Sequence, residues 1–186
     1  MDYYILLLIA MFISMFASFK VRGNYEKFSK VAASSGLTGE EAAKIILDRN
    51  GIYDVTVQPI NGVLTDHYDP RSKVIRLSQG IYDSNSVSAV SVAAHEVGHA
   101  IQDNEGYAFL RFRSALAPVV GFTSRFTFVL IFIGFLLELV ELIDVGIILY
   151  SLSVLFHIVT LPVEIDASRR AMDTLVANNI ITVDEK

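Results

Sequence analysis

The chain has 186 residues, enough for one domain with a sizeable core, and 53% of them are apolar, with a mean hydropathy of +0.49. The apolar residues are bunched, which points to membrane spans in place of a uniformly rich core, and a net charge of −5 without any basic stretch excludes nucleic acid as a partner. The absence of cysteine excludes a disulfide framework, thiolate zinc sites and a cysteine nucleophile together, so any metal must be held by His, Asp or Glu.

Residues 3–19 carry no charge and are about the minimum length needed to cross a hydrocarbon core of ~30 Å. Asp2 stands where a secretory signal would have a basic region, so the segment reads as a retained transmembrane helix. Residues 20–117 form a polar to mixed domain. Its first stretch, "FKVRGNYEKFSKVAASSG", extends the span as a helix with Val21, Tyr25, Phe28 and Val31 on one face. In "LTGEEAAKIILDRNG", Thr38 is the N-cap, Glu41 completes a capping box and Asn50-Gly51 stops the helix. "YDVTVQPI" alternates as a strand. "GVLTDHYDPRSKVIRLS" reads as a hairpin of residues 63–68 with 73–77 around a Tyr-Asp-Pro-Arg turn. From Ser86 the chain is helical to about Gln102.

Two apolar runs follow, 119–137 and 145–163, with Glu138, Glu141 and Asp144 between them. Each has span length, so they are expected as a transmembrane hairpin. Residues 164–186 form a C-terminal helix that starts after Pro162. The fold class expected is thus a mainly α (α+β) integral membrane protein with three transmembrane helices and a small β-hairpin or sheet. Lys20, Arg22, Lys27 and Lys30 follow the first span, while the tip of the second pair is acidic. The positive-inside rule then places the 20–117 domain and the C-terminal segment in the cytoplasm, and the 138–144 tip outside.

"AAHEVGHAIQD" contains His95-Glu96-x-x-His99, two of the chain's four histidines. Positions four apart share a helix face about 5–6 Å apart, so both imidazoles can reach one ion. Glu96 is turned about 100° from His95, which suits a residue beside the ion. In zinc hydrolases of this design that glutamate takes a proton from the attacking water and passes it to the leaving amine. A chance match or a structural histidine pair leaves the glutamate unexplained.

A catalytic zinc needs a third protein ligand. The extended pattern HExxHxxGxxH fails here, because its Gly and His positions hold Gln102 and Glu105. Glu164, at the end of the third span in "LPVEIDASRRAMD", is the favoured candidate. Two spans separate it from His99, so the chain returns to the same membrane face. Asp166 competes, about 200° around the helix. His157, seven residues before Glu164, is expected to hydrogen-bond a neighbouring span. His67 and Tyr68, in the hairpin, are candidate oxyanion or substrate contacts.

Together with "SGLTGEEAAKIILDRNG", "LTDHYDPRSKVIRLS", "RSALAP" and "TLPVEIDASRRAM", these stretches make the chain similar to the bacterial membrane-bound neutral zinc metallopeptidase family, the YugP-like group. The resemblance runs through nearly the whole chain. It implies a zincin-like, gluzincin-type core with zinc as cofactor, His95, His99 and Glu164 as ligands and Glu96 as general base. It further implies a bacterial membrane peptidase, multi-pass in the inner membrane, with a protein or peptide substrate; the charge argument makes its active site cytoplasmic, and the polar residues around 91–106 put cleavage at the membrane–cytoplasm boundary. Gluzincins often carry ExxxD, but Ser168 occupies the Asp position, which leaves the support of a ligand histidine unassigned. Family members continue past "VDEK" into another apolar stretch, so a further span is expected beyond this end. A non-catalytic zinc-binding membrane scaffold is the alternative, and it would be expected to have lost Glu96.

Overall fold

A computed structural model describes residues 2–182. The final residues of the expected 164–186 helix therefore lie outside the described part. The protein is mainly helical with one small sheet. In chain order the elements are α1 (Asp2–Phe28), α2 (Gly39–Arg49), β1 (Thr56–Ile60), β2 (His67–Asp69), β3 (Val74–Ser78), α3 (Gln79–Tyr82), α4 (Val87–Asn104), α5 (Ala108–Leu136) and α6 (Val140–Ala177). The chain forms two compact units: one comprises the chain up to Val97 with the stretch from Ala171, and the other is Gly98–Arg170.

In the first unit, the apolar side chains of α1 from Ile5 to Phe19 are exposed wherever they are described, while its last turns line a cavity with Leu64 and α4. Backbone bonds hold that approach: Ala33 N–H donates to Asn85 O and Val87 N–H to Val31 O. Helix α2 begins with the expected capping box, Glu41 N–H bonding the Thr38 hydroxyl and the Glu41 carboxylate returning to Thr38 N–H. It closes at Asn50 and Gly51, whose φ of +69° suits glycine. Its Ala42, Ala43, Ile46 and Leu47 enter the core with Ile75 and Leu77 of β3 and Ile81 of α3. Gly39 has no room for a Cβ, which would meet the Ile81 carbonyl.

The expected hairpin is present as β2 and β3, antiparallel with Tyr68 opposite Ile75, but its first strand is shorter than the expected 63–68 and covers only His67–Asp69. Asp69 builds its turn by accepting from Arg71 N–H and the Ser72 hydroxyl. The sheet order is β1-β3-β2, with β1 parallel to β3, so β2 is an edge strand of the sheet.

In the second unit, α5 and α6 are joined by three residues, and Glu138 takes a φ of +56° in the link. Gly146 lies against Ile131 and Thr127, Gly134 against Ile143, and the Ser124 and Ser153 hydroxyls share a hydrogen bond. Among the described residues these are two helices long and apolar enough to cross a membrane, and only 17% and 11% of their most apolar windows are buried. A buried helix pair of a soluble core would show the opposite. Pro162 does not start a new helix: α6 runs through it, so the third apolar run and the segment that follows are one element.

Candidate metal centre

Helix α4 carries both histidines one turn apart on an uninterrupted helix, so their relative placement follows from helix geometry alone. From Val87 to Gln102 it buries nearly every side chain, Glu96 and His99 included, while His95 is half-buried. Such burial follows from its sequence: Ala89, Val90, Ala93, Ala94, Val97 and Ala100 supply a small-residue apolar surface on almost all sides.

Gly98 governs what lies opposite His99. A Cβ there would stand 2.5 Å from the Ala167 carbonyl oxygen, so α4 and α6 meet backbone to backbone at this point. Glu164 lies three residues before Ala167, on the same side of α6. Its Oε2 is 3.6 Å from His99 Nε2, and its Oε1 is 3.7 Å from Arg113 Nη2. His95, His99 and Glu164 each offer a ligand atom, all within 4.8 Å of one another. Two imidazoles and a carboxylate are a donor set suited to a catalytic zinc site that keeps a fourth position open.

The orientation of His99 is set by Gln102, which is fully buried. Gln102 Nε2 lies 2.8 Å from both the Val163 carbonyl and Asp166 Oδ2, two groups that only accept, so this atom is the amide nitrogen. The amide oxygen then faces His99 Nδ1 at 3.0 Å and must accept from it. With Nδ1 carrying the proton, the lone pair sits on Nε2, the nitrogen directed at Glu164. Asp166 is held in turn by Arg170 Nε at 2.6 Å, and Arg170 also bonds Glu105. Asp166, the competing candidate ligand, is thus placed in the network behind His99. The network's sequence signal was spacing: Gln102 is three residues after His99 and so shares its face.

The remaining candidates lie elsewhere. His67 Nδ1 is 2.8 Å from the Thr65 carbonyl and so donates to it; Nε2 faces Arg76 at 3.4 Å as an acceptor. Tyr68 is half-buried on β2. His157 does not bond a neighbouring span: its Nδ1 donates to the Ser153 carbonyl one turn earlier in α6, and its ring meets Phe156 edge-on.

The family model described as "Putative neutral zinc metallopeptidase" matches residues 3–186. The "Putative membrane protease YugP" of Bacillus subtilis (strain 168) is 51% identical over 177 residues, covering 95% of this chain and 79% of the relative. No solved structure matches.

Proposed function

The chain belongs to the neutral zinc metallopeptidase family, and from that membership we propose that it is a membrane-bound zinc endopeptidase working at the membrane–cytoplasm boundary. The observation that carries the proposal is the convergence of His95, His99 and Glu164 beside a buried Glu96. In this reading those three residues hold the metal. When bound, zinc supplies the Lewis acidity that makes water a nucleophile at neutral pH.

Glu96, one residue from His95 and turned aside from it, takes the proton of the attacking water and returns it to the leaving amine. Gln102 keeps His99 in the tautomer a ligand needs. Arg113 lies beside Glu164 Oε1, the oxygen other than the one facing His99, and offsets its charge. As an edge strand, β2 is the natural place for an extended peptide to add to the sheet. His67 and Tyr68 of the hairpin are the candidates to steady the oxyanion. Helices α1, α5 and α6 are assigned as the three spans, with the polar domain cytoplasmic.

Metal analysis and turnover together test the reading. Glu164→Ala is expected to lose zinc, because two ligands and water bind it far more weakly than three. Glu96→Gln is expected to keep zinc and fold while cleavage falls by ~10²–10⁴ or more, since general acid–base assistance is typically worth that much. Full zinc in Glu164→Ala would move the third ligand elsewhere. Near wild-type cleavage by zinc-loaded Glu96→Gln would refute the mechanism.

A further inference from the structure

The strip of α4 that leads to His95 opens onto a largely apolar cavity shared with α1. Between Val87 and Gln102, the only side chains of α4 that are not buried are Ser91, Val92 and His95. Residues three and four apart are neighbours on a helix, so these form one strip that ends at His95. Ser91 and Val92 line a cavity of about 420 Å³ walled by Tyr25 and Phe28 of α1, Leu64, and Met172 of α6, with no charged side chain in its lining. That volume falls within the ~300–1,000 Å³ typical of ligand pockets. A second cavity of about 570 Å³, lined by Met15, Phe19 and Arg22, shares Val21 and Leu64 with the first. The two form a trough from the apolar part of α1 to the strip on α4.

Leu64 stands where the cavities join. Its φ is +55°, a region that favours Gly, Asn or Asp, and its side chain is 43% exposed. Neither backbone preference nor burial calls for leucine at this position, but an apolar ligand in the trough would. The lining also includes Asn24 and Ser91, which can bond a peptide backbone and which an acyl chain would leave unused.

We propose that the trough binds an apolar, extended polypeptide segment, and that Leu64, Val92 and Met172 set its side-chain preference. This deepens the peptidase reading, on which it rests, by naming the substrate class. The trough would deliver apolar sequence towards His95 from the side of α1, while acidic or basic segments would find no partner along most of it.

The test uses the full chain in lipid nanodiscs, carrying Glu96→Gln so that nothing is cleaved. It is titrated with a short fluorescein-labelled peptide of Ala, Leu and Phe, and with a matched peptide in which Asp and Lys replace Leu and Phe. Because apolar peptides also partition into lipid, the readout is the difference between variants. Adding Leu64→Asn, whose side chain suits the backbone there, is expected to weaken the apolar peptide about tenfold, the value of one buried apolar side chain. Val92→Trp, which fills the cavity, is expected to do the same, and the charged peptide should bind poorly throughout. Unchanged affinity in both variants overturns the proposal. So does displacement of a fluorescent fatty acid, but not of the peptide, by the same substitutions. Variant-sensitive peptide binding with no cleavage by the wild-type chain would instead leave the trough standing and sink the peptidase reading.

Discussion

Replacing Gln102 with leucine separates the orientation of His99 from the packing around it. The wild-type side chain is fully buried and makes three hydrogen bonds, to His99, Val163 and Asp166. Leucine nearly preserves its volume. Asp166 keeps Arg170, so the loss falls mainly on His99, whose Nδ1 no longer meets the amide oxygen. Removing such a partner from a metal-ligating histidine typically lowers metal affinity about 10–100-fold, or roughly 1.4–2.7 kcal/mol. Loss of a buried hydrogen-bond partner costs about 1–3 kcal/mol of stability, offset in part by the apolar replacement. Gln102→Glu supplies the contrast. It retains an acceptor for His99 but sets a second carboxylate against Asp166 and the Val163 carbonyl, so it should damage folding more than zinc affinity. The assay is competition for zinc with a chromophoric chelator, run beside thermal unfolding of the apo proteins. Leucine should lose chiefly zinc and glutamate chiefly stability. Wild-type zinc affinity in a folded Gln102→Leu protein would show that this contact does not set the tautomer.

Three further outcomes are expected. The chain has no native cysteine, so single cysteines introduced at Glu141 and Ser72 can be labelled cleanly, the first from outside the cell and the second only after permeabilisation; the reverse pattern would overturn the charge argument for orientation. Gly98→Ala forces α4 and α6 apart at the Ala167 carbonyl, and should lower both the melting temperature and zinc affinity, whereas an unchanged affinity would mean that the spacing of the two helices does not tune the site. Tyr82 donates to Glu40, and this bond pushes the phenol up to about 12; its stabilising contribution is complete below pH 10 and is lost as pH rises through 12, so Glu40→Gln should move one step of the tyrosinate absorbance titration back towards 10.

What could be read from the sequence was what local spacing encodes. Two histidines and a glutamate within one helical turn, a threonine three residues before a glutamate, and a Tyr-Asp-Pro-Arg turn between alternating runs all carry their geometry within a few residues. The pairing of β1 with β3 does not. It is parallel and skips β2, so nothing adjacent in the chain announces it. Pro162 reads as a boundary because proline removes a helical hydrogen bond, yet α6 continues through it as a single long helix. Gln102 reads as a mismatch to a longer zinc pattern. Its task depends on a carbonyl 61 residues away, and only the crossing of two helices brings that carbonyl into reach.

That α6 is unbroken makes it a ruler. Glu164 stands 24 residues after Val140 on one helix, which at 1.5 Å per residue is roughly 36 Å, close to the thickness of a hydrocarbon core with part of one headgroup layer. In the membrane-bound protein proposed above, the height of the third ligand is therefore measured from the opposite surface. A thicker bilayer would draw Glu164 towards the lipid and a thinner one would lift it into water, unless the helix tilts to compensate. Zinc retention and cleavage should then vary with acyl-chain length in reconstituted vesicles, coupling the chemistry of the centre to the physical state of the membrane around it.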